Sequence, residues 1–397
     1  MTRFALDAAT ARRILGSHSP AEADDTSVRA RYAAVVWSHL VEPGDGVAGR
    51  LVEAHGCVEA LELAVGGAAT EVLTRRDLDE ARKRWMPRLD ADEIARGLRT
   101  AERRAVSIVT AADAPWPEQL DDLGIHAPHC LWVRGAPGVL SRLHPSVAVV
   151  GARAATAYGE HVALELAADL AGGGIPVISG GAYGIDGAAH RAAVSVGGTT
   201  IALLAGGVDR SYPAGHAGLI DDVARSGAVI SEVPCGASPT KWRFLQRNRL
   251  IAALSDAIVV VEAGWRSGSL NTAGHAAALS RPIGAVPGPV TSAASAGTHR
   301  LLREYDATCI TSAADVRELL GLGIAPGDAR GAASGARTDD TTRVRDALST
   351  RAGRSAAEVA RRAGMSVEDV AAVLGLLELE GTVESTPTGW RMPRSAR

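Results

Sequence analysis

Aromatic residues and cysteines are scarce in this chain of 397 residues, and its net charge is small. Only 4% of the residues are aromatic, and the four cysteines are far apart and form no CxxC pair. This spacing predicts neither a metal site nor a disulfide framework. A formal net charge of −3 means that the chain as a whole is not basic. Any site for a nucleic acid must therefore be a local positive groove.

Long apolar runs are missing as well. No stretch approaches the roughly 20 apolar residues that a membrane helix requires. The first residues, MTRFALDAATARRILG, also lack the pattern of a signal peptide. We therefore expect a soluble, cytoplasmic protein that makes no contact with a membrane.

Glycine and aliphatic residues are abundant instead. The chain has 44 glycines, and 46% of its residues are hydrophobic, so it can bury a full-sized core. Its length suits two or three domains. A glycine-rich, aromatic-poor composition is typical of α/β proteins, in which many tight turns join strands to helices.

Residues 105–320 alternate short β-branched runs with amphipathic helical patterns. This alternation predicts a Rossmann-like core, with a mostly parallel sheet covered by helices on both faces. In such a sheet, ligands bind beyond the carboxyl ends of the strands. The runs that we predict as strands are residues 146–150, 175–179, 199–204, 228–231, 257–262 and 282–286.

The two ends of the chain have a different character from the core. Residues 1–104 have apolar positions at helical spacing, and we predict an N-terminal helical, SAM-like module. Residues 321–340 are rich in Gly, Ala and Asp and predict a linker. Residues 341–397 contain three short helical patterns and then a strand pair, which predicts a small winged helix. Its second candidate helix carries more acid than base, which favours a protein contact over readout of duplex DNA.

The turn after the first predicted strand, VVGARAATAYGEH, resembles a phosphate-binding turn but departs from the dinucleotide fingerprint. Gly151 takes the first glycine position, whereas Arg153 and Thr156 occupy the second and third. A bulky Arg153 obstructs a bound pyrophosphate, yet its guanidinium is a forked donor suited to phosphate. We expect Gly151 and Thr156 to form a phosphate loop at the start of the next helix.

In the turn after the second predicted strand, ISGGAYGIDGAAH, Gly180, Gly181 and Gly184 allow close backbone approach and an anion nest. Asp186 is predicted to cap the following helix, with His190 one turn below it on the same face. A capping carboxylate and a packed histidine account for this pair better than catalysis does.

The stretch SPTKWRFLQRNRL is the most informative part of the sequence. It interleaves Lys241, Arg243, Arg247 and Arg249 with Trp242, Phe244 and Asn248. Positive charge beside aromatic faces is typical of single-strand binding, in which base stacking contributes about 1–3 kcal/mol per base. A later turn, Ser267-Gly268-Ser269, opens another helix, and its hydroxyls and amides suit phosphate.

Together these segments resemble the DNA-processing (DprA/Smf) family across about residues 105–320. The resemblance rests on seven segments in family order: VGARAATAYG, ISGGAYGIDGAAH, AGGVDRSYPAGHAGL, ISEVPCGASP, FLQRNRLIAAL, EAGWRSGSLNTA and AVPGPVTSAASAGTH. It implies a homodimer that binds single-stranded DNA, helps to load the RecA recombinase and protects incoming DNA during transformation of competent cells. It implies neither a cofactor nor a catalytic residue.

The resemblance also assigns roles to individual residues. Arg153 is expected to contact DNA phosphate, and Lys241 and Phe244 are expected to contact backbone and base. The residues expected to line the pocket or lie beside it are Ser179, Gly180, Gly184, Arg247, Asn248 and Arg249. The chain departs from the usual motifs at Ala152, Gly181, His216, Asn271 and His299. Of these, His216 and His299 replace asparagines, which raises the question of altered hydrogen bonding or pH sensitivity at the site.

Two enzyme classes compete with this interpretation. A nucleotide phosphoribohydrolase of the same broad fold group carries a PGGxGTxxE stretch, whose glutamate acts in hydrolysis. The corresponding segment here, GWRSGSLNTAGHAA, has no carboxylate. A nicotinamide or flavin dehydrogenase is disfavoured by the missing fingerprint and by Arg153.

Overall fold

The computed structural model describes residues 5–20, 22–323, 338–350, 352–379 and 381–393. The chain forms two compact units, Met1–Leu322 and Gly323–Arg397. Most of the predicted linker, residues 324–337, lies outside the described residues.

A nine-stranded sheet forms the centre of the first unit. Its strands are β1 (Val106–Val109), β2 (Leu131–Gly135), β3 (Val147–Val150), β4 (Val177–Ser179), β5 (Thr200–Leu203), β6 (Ala228–Ser231), β7 (Ala257–Val260), β8 (Ile283–Ala285) and β9 (Thr308–Cys309). Their order in the sheet is β1-β2-β6-β5-β4-β3-β7-β8-β9. Strands β3 to β9 pair in parallel, whereas β1 and β2 form an antiparallel edge. The prediction of a mostly parallel, Rossmann-like sheet is confirmed.

Helices cover both faces of this sheet. They are α1 (Ala8–Leu15), α2 (Asp25–Leu40), α3 (Gly46–Gly66), α4 (Arg75–Trp85), α5 (Ala91–Arg103), α6 (Ala157–Gly172), α7 (Ile185–Ser195), α8 (Ala217–Ser226), α9 (Lys241–Leu254), α10 (Ser269–Ala278), α11 (Ala296–Glu304) and α12 (Ala313–Leu319). Alternate residues of β3 point to opposite faces. Val147 and Val149 pack with α6 and α7, while Ala148 and Val150 pack with α9 and α10. None of the described helices has the length and apolar character needed to cross a bilayer.

The N-terminal helices share a hydrophobic core with the β2–β6–β5 end of the sheet. The indole rings of Trp37 and Trp85 meet edge to face at 5.3 Å, an arrangement that aromatic pairs favour. Trp132 in β2 is fully buried, and its indole N–H donates to the Ser38 hydroxyl at 3.3 Å. This shared core joins the helices of residues 8–103 and the sheet into one compact unit.

Strand order reverses at β3, which pairs with β4 on one side and with β7 on the other. The connections after β3 and β7 leave toward opposite sides at such a switch point, and a crevice opens at the carboxyl ends of the strands. A ligand site is therefore expected among the loops that follow β3, β4 and β7.

The described residues of the second unit form three helices followed by a two-stranded hairpin. Its elements are α13 (Thr338–Ala347), α14 (Ala356–Ala363), α15 (Val367–Leu379), β10 (Glu384–Thr386) and β11 (Gly389–Arg391). They enclose a small core around Val359, Val370 and Leu374. This order of elements is that of a winged helix-turn-helix.

Candidate nucleic-acid interface

A cavity of about 340 Å³ opens at the switch point of the sheet. The loop after β3, the first turns of α9 and the start of α10 form its walls. Its lining residues are Val150, Gly151, Ala152, Arg153, Ala154, Ala182, Asp186, Phe244, Leu245, Arg247, Asn248, Ile251, Ser267, Gly268, Ser269 and Thr272. The structure thus brings eight of the residues predicted for the site together around one space, although they are spread over more than a hundred positions in the chain.

An exposed arginine and two aromatic rings meet at the mouth of the cavity. The guanidinium carbon of Arg153 lies 4.7 Å from the centroid of the Phe244 ring, within the range of a cation–π contact. The ring of Tyr212 lies 5.5 Å from that of Phe244, and Tyr212 is 49% exposed. An exposed guanidinium beside the half-buried Phe244 ring and the exposed Tyr212 ring is suited to phosphate and to unpaired bases.

Arg247 forms a wall of the cavity and is only 6% exposed. One guanidinium nitrogen donates to the carbonyls of Gly180 and Leu203 at 2.5 and 2.6 Å. Burial lowers the pKa of Arg247 to about 10, with nearby Asp186 acting in the opposite direction. Arg247 therefore keeps its charge at neutral pH and supplies positive potential at the cavity wall.

Asp186 lies opposite this cation in the same cavity. Burial raises the pKa of its carboxyl group, while Arg247 and the backbone N–H of Ala182 favour the charged form. The predicted capping role of Asp186 is wrong. Gly184 is the N-cap of α7, and the Asp186 carboxylate reaches back to the Ala182 N–H at 3.4 Å.

Asn248 and the turn at the start of α10 form another wall of the cavity. The side-chain amide of Asn248 donates to Asn271 at 3.1 Å and to the carbonyl of Gly268 at 3.3 Å. The hydroxyls of Ser267 and Ser269 lie 2.7 Å apart. Hydroxyls and backbone at the start of a helix are groups that can hold a phosphate.

The turn at the start of α6 does not provide the phosphate loop predicted for Thr156. Glu262, which is 2% exposed, accepts from the backbone N–H of Thr156 at 2.9 Å and from its hydroxyl at 2.6 Å. A carboxylate of the protein itself therefore occupies the anion position at this helix N-terminus. Gly151 does line the cavity, but Thr156 acts as the cap of α6.

Ser179, Gly180 and Gly184 pack against the strands and loops that carry the site. Ser179 is fully buried, and its hydroxyl donates to the Val149 carbonyl at 2.7 Å. A Cβ at Gly180 would overlap the Arg247 guanidinium. Gly184 has a φ of +73°, and a Cβ there would overlap the backbone of the loop after β3. These residues allow close packing of the loops, and none of them lines the cavity.

Most cations of the basic stretch in α9 bind groups within the protein. Arg249 is 3% exposed and makes two hydrogen bonds to Glu232, at 2.6 and 2.7 Å. Arg243 makes a similar pair with Glu42, at 2.9 and 3.0 Å. Neither residue lines the cavity. The pair with Glu232 gives Arg249 a structural role, and we expect that role rather than the predicted contact with DNA.

Lys241 differs from these arginines, because its ammonium group is exposed. It is the first residue of α9, after the N-cap Thr240, and makes no hydrogen bond or ion pair within the described part of the chain. Residues three positions apart lie on the same helix face, so Lys241 neighbours Phe244 at the cavity mouth.

Packing roles account for three histidines near the site: His190, His216 and His299. His190 is fully buried, and its Nδ1–H donates to the Thr200 hydroxyl at 2.7 Å, because that hydroxyl donates its own proton to Val177. His216 bonds to the Gly181 carbonyl at 3.1 Å, and His299 bonds to the Gly288 carbonyl at 3.0 Å. Neither His216 nor His299 lines the cavity.

Sequence reasoning did not identify two exposed aromatic residues beside the site. Tyr212 contacts Phe244, and Tyr183, which is 49% exposed, packs edge to face on His216 at 4.7 Å. Both follow strands of the parallel sheet, β5 and β4. That position after a strand was the only available signal, since a lone tyrosine in a loop has no periodic pattern.

Comparison with known proteins agrees with this architecture. The family model described as DNA recombination-mediator protein A matches residues 107–321, and the model of the DprA winged helix domain matches residues 328–389. The curated DprA of Mycobacterium tuberculosis is 42% identical over 373 residues, covering 90% of this chain and 94% of that protein. Protein Smf of Escherichia coli is 36% identical over 276 residues, covering 68% of this chain and 73% of that protein.

A solved structure supports the same relationship. The DprA of Streptococcus pneumoniae superposes with a TM-score of 0.60 at 30% identity, covering 73% of this chain and 97% of that chain. With a family model over more than half of its length and a relative matched nearly end to end, the chain belongs to the DprA/Smf family of DNA-processing proteins.

Proposed function

We propose that this protein binds single-stranded DNA at the cavity on the carboxyl edge of its sheet and acts as a recombination mediator. In this role it helps to load RecA onto the strand and protects incoming DNA during transformation. We further propose that it works as a homodimer in the cytoplasm. The observation that carries the DNA-binding proposal is the contact of Arg153 with Phe244 at the cavity mouth.

Geometry and charge favour a single strand over a duplex. The rings of Phe244 and Tyr212 offer faces to unstacked bases, which a duplex keeps inside its own stack. Arg153 and Lys241 supply exposed positive charge next to those rings, while Arg247 supports the cavity from beneath. This combination of stacking surfaces and local charge also explains how a chain with a net charge of −3 can bind a polyanion.

The arrangement of acids supports binding without turnover. Among the described residues that line the cavity, Asp186 is the one carboxylate, and it is buried beside Arg247. Glu262 is held by Thr156 and does not line the cavity. General acid–base hydrolysis requires a group positioned to exchange a proton with the substrate. Asp186 and Glu262 instead interact with partners within the protein.

The direct test measures dissociation constants for oligothymidylate and for duplex DNA at several salt concentrations. The proposal predicts preference for the single strand, and an affinity that falls with salt by about 0.7 log units per log unit for each phosphate contact. Arg153→Glu is expected to weaken binding at least tenfold. Arg142→Glu is the matched control, because Arg142 is exposed just before β3, at the opposite edge of the sheet.

Two outcomes would overturn the proposal. One is equal or absent binding of single strands, and the other is release of free base from nucleoside monophosphates during incubation with the protein. RecA loading is tested separately, by the rate at which RecA displaces a single-strand-binding protein from DNA with and without this protein. Light scattering of the purified protein measures its mass and tests the homodimer.

A further inference from the structure

A tight turn between β7 and α10 exposes a tryptophan at the rim of the cavity. The Gly264 carbonyl accepts from the Ser267 N–H at 3.0 Å, so Trp265 and Arg266 occupy the two corners of a β-turn. Trp265 is 60% exposed, and Arg266 is exposed as well. The turn leads directly into Ser267, which lines the cavity.

Arg300 reaches this tryptophan from α11. Its guanidinium carbon lies 5.4 Å from the Trp265 ring centroid and 5.6 Å from that of Tyr305. The Gly297 N–H donates to the Ala263 carbonyl at 2.6 Å and fixes the start of α11 against the loop. The backbone around Trp265 is thus fixed, and its ring contacts Arg300 while most of the side chain remains exposed.

The distance from this turn to the cavity is short. Trp265 and Ser267 are two residues apart, so their Cα atoms are separated by at most about 7 Å. A single extended nucleotide spans such a gap. Stacking surfaces therefore adjoin two segments of the cavity wall: Tyr212 contacts Phe244, and Trp265 lies two residues before Ser267.

We propose that Trp265 and Arg266 form a second contact site for single-stranded DNA, one nucleotide beyond the cavity. A base that leaves the cavity stacks on the exposed indole, and Arg266 faces the adjoining phosphate. The positive charge of exposed Arg266 matches a polyanion, whereas Arg300 donates to Glu304 at 2.7 Å and contacts the ring. The turn leads into the cavity wall at Ser267. This inference rests on the proposed single-strand binding and extends it to a track along the sheet edge.

The test compares Trp265→Ala and Trp265→Phe on oligothymidylates of increasing length, using fluorescence anisotropy and the full chain. The alanine variant is expected to bind long oligonucleotides about 5- to 150-fold more weakly, the loss that removal of one stacked base predicts. The shortest oligonucleotides, which fill only the cavity, are expected to bind it as they bind the wild type. Trp265→Phe keeps a stacking face and is expected to retain most of the affinity.

Val290→Ala serves as the control, because Val290 is an exposed apolar residue, at 90%, in the loop after β8. The inference is overturned if Trp265→Ala binds every length as the wild type does. It is also overturned if the loss of affinity accompanies a fall in the mass of the protein by light scattering, since the ring then contacts a second copy. If the wild type itself does not bind single-stranded DNA, the proposed function fails along with the inference.

Discussion

The buried pair of Arg249 and Glu232 gives the sharpest test of how the basic stretch is used. Arg249 has a side chain 4% exposed and makes two hydrogen bonds to Glu232, whose side chain is 13% exposed. The same guanidinium donates to the His126 carbonyl at 2.8 and 3.0 Å. Arg249→Met keeps the apolar stem but leaves the carboxylate buried without its cation. Loss of one partner of a buried pair costs about 3–5 kcal/mol.

Urea denaturation of the wild type and of Arg249→Met measures this cost as a drop in the free energy of unfolding. Addition of Glu232→Gln to the variant is expected to restore part of the loss, because it removes the unpaired charge. The folded Arg249→Met protein is expected to bind oligothymidylate with the affinity of the wild type. The reasoning is refuted if stability is unchanged while affinity for the single strand falls, since Arg249 would then contact DNA.

Three further predictions follow from buried groups. Glu262→Gln is expected to cost about 1–3 kcal/mol of unfolding free energy, because it weakens two hydrogen bonds to the start of α6; thermal denaturation that matches the wild type contradicts this. Gly184→Ala is expected to destabilise the protein by several kcal/mol, since φ is +73° and the new Cβ overlaps the Ala152 carbonyl; a fully stable variant disproves the close approach. Burial lowers the pKa of three histidines to about 3–4, which makes the unfolded chain bind more protons than the folded one below pH 6.5. These histidines are His39, His129 and His190. The free energy of unfolding is therefore expected to fall as the pH is lowered from 6.5 to 4, by up to about 4 kcal/mol per pH unit. Equal denaturation midpoints at pH 7 and pH 5 would rule this out.

The central strands were predictable because they are continuous runs of β-branched residues buried on both faces. All six predicted runs contain a strand of the parallel sheet. The antiparallel edge was not predicted. β2 is the short segment LWVRG, and its pairing with β6, nearly a hundred residues later, has no local signature. β9 has only two residues, too few for any periodic pattern.

The candidate site was predictable in its location but only partly in its residues. Gly151, Arg153 and Phe244 follow from their position at strand ends and from the mixture of charge and aromatic rings. The sequence could not reveal which cations have acid partners within the protein. Glu42 lies 201 residues from Arg243, and Glu262 lies 106 residues from Thr156. Such partners become visible only once the sheet brings distant loops together.

Photocrosslinking tests the location of the DNA most directly. Oligothymidylate that carries 5-iododeoxyuridine is irradiated with the full-length protein, and the crosslinked peptides are identified by mass spectrometry. Our account predicts adducts on Tyr212 and Phe244 at the cavity mouth, lost in Arg153→Glu and retained in Arg142→Glu. Adducts confined to the winged-helix unit or to the N-terminal helices, with none at the cavity, would contradict it.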